Sequence, residues 1–191
     1  MRRTAFFSLA AGLALLAAHT AGAGPVGDQF RGGAFGLPWN ASKGAIESKY
    51  PGGRWDQNDK GLARYCASSR QMLLKLPAQH QTRELCFLIG SDGTMASVTA
   101  RLEPSLPALL AIVNRSRTMF GDFDAVRRDE GAIQSRSTNM IWMKDAPLIV
   151  QVSSGNDPDG RPNEVSFTVA DEGSLYTAGA DKVSNKPTVN R

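Results

Sequence analysis

Apolar and polar positions alternate most regularly between residues 84 and 103, ELCFLIGSDGTMASVTARLE. Ala96, Val98, Ala100 and Leu102 fall on every second position, with Ser97, Thr99, Arg101 and Glu103 between them. That is the pattern of a strand with one buried and one wet face. Asp92-Gly93 separates two apolar stretches and predicts a type I′ hairpin turn, whose two central residues both need positive φ. A two-residue loop would set Ile89 opposite Ala96, Phe87 opposite Val98 and Leu85 opposite Ala100, on the core face. Cys86 then falls on the outer face.

The reading extends in both directions. Upstream, FGLPWNASKGAIESKYPGG (35–53) carries Ser42 at an N-cap position, a narrow stripe of Ala45, Ile46 and Tyr50, and a stop at Pro51-Gly52-Gly53. So short a helix forms only by packing on something. LARYCA (62–67) and QMLLKLP (71–77) read as strands, the second from Met72, Leu74 and Leu76 at alternate positions. Downstream, PSLPALLAIVNRSRTMFGDF (104–123) is an amphipathic helix ending at Gly121. STNMIWMKD (137–145) reads as a strand, and APLIVQVSS (146–154) with NEVSFTVAD (163–171) as a hairpin across GNDPDGRP. The expected fold class is α+β, an antiparallel sheet with helices on one face. Helix-then-strands occurs twice. Tyr50-Pro51-Gly52 corresponds to Met119-Phe120-Gly121 at an offset of 69, and Ala100-Arg101-Leu102 to Phe167-Thr168-Val169 at an offset of 67. The expected organisation is a signal peptide (1–23), a Gly-rich flexible segment (24–34), two helix-plus-sheet units (35–103 and 104–171) and a disordered tail (172–191).

This layout, headed by FGLPWNASKGAI and KYPGG, resembles small exported bacterial proteins such as the small lipoprotein of the outer-membrane assembly machine and the secreted β-lactamase inhibitor protein. The resemblance implies tandem helix-on-sheet units and a function in binding other proteins. The chain departs from the first in lacking a lipid-bearing cysteine. It departs from the second in having a single cysteine pair rather than a bridge in each unit. No functional residue is carried across.

The N-terminus sets the expected compartment. Arg2 and Arg3 precede an apolar run from Ala5 to Ala18, and Ala21 and Ala23 give the small-residue spacing of a cleavage site. Cleavage after Ala23 predicts a periplasmic or secreted protein of 168 residues without a transmembrane anchor. The precursor has 22 Lys+Arg and 18 Asp+Glu. Losing Arg2 and Arg3 leaves a net charge of +2, with scattered basic residues and no footprint for nucleic acid. In an oxidising compartment Cys66 and Cys86 are expected to form a disulfide closing a loop of about 20 residues.

Candidate chemistry is sparse. His80, in a polar inter-strand stretch, is the only histidine after cleavage, and nothing near it resembles an activated nucleophile. A zinc site on His80 and both cysteines would forbid the disulfide. Asp157, Asp159 and Glu164 hint at a calcium loop, but Gly155 and Ser166 stand where an EF-hand needs oxygen ligands, and a turn explains the same residues. The acids of 122–130 read as a solvated loop. No catalytic residue, cofactor or metal is expected. Trp142 reads as core and Trp39 as cover for the first helix. Trp55 sits among Arg54, Asp56 and Asp59 on what reads as a Gly-hinged loop, where a flat apolar ring suits a contact. These four residues are the candidate binding site, with the hairpin tips at 90–94 and 155–162 as further contact regions. The leading expectation is a non-catalytic binding module or inhibitor acting on another exported or envelope protein. The alternatives are a carbohydrate- or peptidoglycan-active protein, with Trp55 stacking on sugar, and a structural envelope protein without a defined ligand.

Overall fold

The computed structural model describes residues 24–58, 61–130 and 136–171. The expected signal peptide, the tail and Asp59 lie outside them. The α-helices are α1 (Pro25–Phe30), α2 (Lys43–Lys49) and α3 (Leu106–Phe120). The strands are β1 (Arg54–Gln57), β2 (Ala63–Ser68), β3 (Thr82–Ile89), β4 (Met95–Leu102), β5 (Ala125–Glu130), β6 (Arg136–Trp142), β7 (Leu148–Asn156) and β8 (Pro162–Asp171). They form one sheet in the order β1-β2-β3-β4-β8-β7-β6-β5, and every neighbouring pair is antiparallel. The protein is thus α+β, with strands dominating.

Alternation along each strand makes two faces. One carries the row Trp55–Tyr65–Phe87–Val98–Val169–Val150–Trp142, each residue the register partner of the next. From Tyr65 onward every member is at most 2% exposed. Aromatic side chains from all three helical regions reach this face. Phe30 at the end of α1 meets Phe167 at 6.1 Å, Tyr50 after α2 meets Phe87 at 5.0 Å, and Phe120 at the end of α3 meets Trp142 at 6.3 Å. α2 is capped as expected, the Ser42 hydroxyl accepting from the Ala45 amide, and Ser105 does the same for Ala108 in α3.

Four local expectations are corrected. Residues 24–34 include α1, whose Phe30 is buried in the core. The stretch 71–77 is not a strand. Leu74 and Lys75 take positive φ, and the folded-back segment buries Leu73, Leu74 and Leu76 while Met72 is exposed. The Arg115 Nε–H donates to the Leu74 carbonyl at 2.7 Å and ties the segment to α3. Residues 125–130, read as loop, are edge strand β5.

The β3–β4 turn also differs. Gly93 has φ of 80° but Asp92 does not have positive φ, and the Gly90 amide bonds to the Thr94 carbonyl at 2.8 Å. The loop is Ser91-Asp92-Gly93, a three-residue turn closed by glycine. Ile89 consequently faces Met95, not Ala96. A bulge then leaves Ala96 unpaired, and Phe87 returns opposite Val98 and Leu85 opposite Ala100. The longer turn and the bulge cancel, so the core register is the one expected.

Cys66 and Cys86 are direct partners on β2 and β3, bridged, with Cα atoms 4.1 Å apart. Removing the bridge by Cys66→Ala and Cys86→Ala together is expected to cost about 3 kcal/mol, from the loop entropy released in the unfolded chain. Urea denaturation read by tryptophan fluorescence measures it.

Candidate functional site

The face opposite the core is a second continuous surface. One row across all eight strands reads Arg54–Cys66–Cys86–Thr99–Thr168–Gln151–Ile141–Ala125. The next reads Ser68–Glu84–Arg101–Ser166–Ser153–Asn139–Arg127. None of these residues belongs to the hydrophobic core cluster. Small polar side chains fill the middle, and charges gather over β1–β4. This face is the candidate site.

Its polar groups are mutually bonded. The Thr99 and Thr168 hydroxyls meet at 3.0 Å where β4 joins β8. Gln151 Nε2 donates to Asn139 Oδ1 at 3.1 Å and to Ser153 Oγ at 2.7 Å. Over β1 and β2, the Arg64 guanidinium grips Asp56 through two bonds of 2.8 Å, and this holds the Asp56 carboxyl below its ordinary range. Arg101 reaches Glu84 at 2.7 Å and lies 4.0 Å from Glu164. Arg101 and Glu84, with Ser68, Arg83, Asn163 and Glu164, line a cleft of about 320 Å³. Hydroxyls, amides and ion pairs on this face thus hold one another in fixed positions.

The sequence-predicted site is divided by strand alternation. Arg54–Gln57 is a strand rather than a loop, so Arg54 and Asp56 point to the open face and Trp55 to the other. The Trp55 ring packs on Tyr65 at 5.0 Å, Lys43 Nζ lies 5.3 Å from its centre, and its Nε1–H donates to Glu47. Lys43 and Glu47 are one turn apart on α2, so Trp55 clasps α2 to the sheet edge. Asp59 lies outside the described residues.

The two hairpin tips do not converge. β4 and β8 run antiparallel, which sends the 90–94 turn to one end of the sheet and the 157–161 turn to the other. At the second turn Asp157 Oδ1 accepts from the Arg161 amide at 2.8 Å, an Asp employed in turn geometry. His80 sits in a 3-10 turn, Ala78–His80, between β2 and β3. Cys66, Glu84 and Cys86 bring their ligand atoms within 4.8 Å of one another, but both sulfurs are spent in the bridge.

Sequence reading missed the open face because no motif marks it. Its signal is the polar half of the alternation, Ser97, Thr99 and Arg101 against Ser166 and Thr168, which reads as plain solvent exposure until the strand order is known. No family model, curated protein or solved structure matches the chain.

The acids of 122–130 hold the scaffold. Asp122 pairs with Arg117 at 2.5 Å. Asp124 Oδ2 accepts from the Met143 and Lys144 amides at 2.8 and 3.0 Å, and Oδ1 pairs with Lys144 Nζ at 2.8 Å. Burial alone would raise the Asp124 pKa. The Lys144 bond and the two amides outweigh it and hold the carboxyl below its usual range.

Two predictions follow from these contacts. Trp55→Ala is expected to cost about 2–3 kcal/mol in urea denaturation, by loss of the α2 clasp, whereas Asp56→Ala leaves stability nearly unchanged because its ion pair is exposed. Asp124 has a depressed folded pKa, so its stabilising contribution is complete above the ordinary carboxyl range near pH 4 and is lost as pH falls through the folded value. Stability measured from pH 6 to pH 2 should fall less steeply over the acid limb in Asp124→Asn than in the parent.

Proposed function

We propose that the chain is an exported, non-catalytic binding protein that holds another exported or envelope protein against the open face of its sheet. One observation carries the reading: a largely polar face, its hydroxyls, amides and ion pairs bonded to one another, runs across the sheet, while all three α-helices pack on the other side. Such a surface offers hydrogen-bond donors and acceptors at fixed spacing with little ordering cost on binding. The bridged cysteines and the leader-like N-terminus support export. No helix among the described residues is long and apolar enough to cross a membrane. Trp55, the residue the sugar-binding alternative depended on, has its ring engaged by Tyr65 and α2. The notion that acids of 122–130 would serve that alternative loses Asp122 and Asp124 to ion pairs with Arg117 and Lys144.

The resemblance to tandem-unit inhibitors gains support from internal equivalences. Ser42 and Ser105 cap their helices in the same way, each from an alanine amide three residues on. Gly52 and Gly121 follow the helices with φ of 80° and 81°. Both glycines and the Thr99–Thr168 pair are related by an offset of 69. An approximate two-fold through that threonine pair would exchange β1–β4 with β5–β8. This moves the strand equivalence from Phe167 for Ala100 to Thr168 for Thr99.

Photo-crosslinking in the envelope tests the reading. A crosslinking residue at Thr168 should capture one discrete protein, lost when Arg64→Glu reverses charge on the same face. The same residue at Asn114, exposed on α3, should capture none. Equal labelling from both positions, or none from Thr168, would refute the proposal.

A further inference from the structure

The mouth of α1 holds an arrangement that the open face does not explain. Pro25 begins the helix and has no amide to satisfy. The next two amides are bonded from a distant part of the chain. Val26 N–H donates to Asp145 Oδ2 at 2.7 Å, and Gly27 N–H reaches the same oxygen at 3.4 Å. Asp28 N–H bonds to the Gly24 carbonyl at 2.9 Å. Asp145, in the β6–β7 connection, thereby caps a helix about 120 residues away in sequence. The other oxygen, Oδ1, receives no donor from the described residues and lies over the backbone of Gly24. A Cβ on Gly24 would stand 1.9 Å from Oδ1 and 2.6 Å from Oδ2. No side chain fits at residue 24 while Asp145 caps the helix.

Gly24 is also the residue that cleavage after Ala23 would make the first of the chain. We propose that Asp145 is the binding site for the α-ammonium of Gly24 created by that cleavage. This rests on the exported reading above. Hydrolysis of the Ala23–Gly24 bond consumes one water. Ala23 leaves with a carboxylate, and the Gly24 nitrogen changes from a neutral amide with one hydrogen to an ammonium with three. That nitrogen is bonded, at about 1.5 Å, to the Cα beside which the Asp145 carboxylate lies, so cleavage sets the new charge next to it. One oxygen continues to cap α1 while the other takes the new charge.

The surroundings suit a chain terminus. A cavity of about 510 Å³ opens beside Gly24 and Gly27, lined by Trp39, Asp145, Pro147 and Asp171. Its cations are engaged elsewhere, Lys144 by Asp124 and Arg31 by Asp28 at 3.9 Å. An ammonium at a helix N-terminus is ordinarily unfavourable because the helix dipole is positive there. Asp145 offsets that repulsion. The docked helix places Phe30 in the core against Phe120 and Phe167, each at 6.1 Å.

A double-mutant cycle on the processed chain tests the site. The chain beginning at Gly24 is compared with its Nα-acetylated form, each with Asp145 and with Asp145→Asn, which can still accept from Val26. Acetylation should lower the melting temperature by about 2–6 °C in the parent and by much less in Asp145→Asn. An equal effect in both backgrounds would overturn the ammonium site even if export is correct. Intact mass of the exported chain reads the other premise separately: a first residue other than Gly24 overturns the processing site, and Gly24 supports it.

Discussion

The structure depends on five residue pairs between β4 and β8, Ser97 to Arg101 against Ala170 to Ser166. Each strand closes its own half of the chain, and each would be a bare edge without the other. An unpaired edge buried on one face exposes a row of amides and carbonyls to any strand that can pair with it. Joined, the two become the most enclosed strands of the molecule, and the core rows run through them without a break. Val98 against Val169 and Ala100 against Phe167, all fully buried, carry the core across the place where the halves meet. The Thr99–Thr168 bond lies directly behind them. Its chain closure is long-range, about 70 residues, and the burial it completes is what offsets that entropy.

Continuity of the sheet also creates the open face. Eight strands in one register align their outer rows from Arg54 to Ala125, so polar groups from opposite ends of the sequence share one surface. Either half alone would present only a four-strand patch. Most of the charge lies over β1–β4, where Arg64–Asp56 and Arg101–Glu84 sit, with Glu164 of β8 at its border, and amides and hydroxyls prevail over β6 and β7. A partner lying along the face would meet two chemically different halves. The outer-face disulfide between β2 and β3 stiffens the charged half without entering the core.

What the sequence disclosed followed from local periodicity. Helix α2 was readable from Ser42 and the Pro51-Gly52-Gly53 stop, α3 from its apolar stripe, and the Phe87–Val98 and Leu85–Ala100 pairs of β3 and β4 from alternation and an assumed two-residue turn. Alternation survived even a mistaken turn type, because the bulge at Ala96 restored the pairing. The errors fell where tertiary contacts decide. Arg54–Gln57 and Ala125–Glu130 are edge strands with polar sequences, extended because a neighbour pairs with them. The 71–77 segment alternates like a strand but is folded back at Leu74 and Lys75 so that three leucines fill the space under α3. The candidate site was legible only in part. Arg54 and Asp56 reach the open face, while Trp55, one residue between them, turns away for the same period-two reason.

If the β4–β8 ladder makes one sheet of two halves, the molecule should open as a unit. Native-state hydrogen exchange measures this residue by residue in low denaturant. The account predicts that core amides of β3 and β4 and those of β7 and β8 share one opening free energy equal to that of global unfolding. Separate opening free energies for β1–β4 and β5–β8, with early exchange at 97–101 and 166–170, would contradict it.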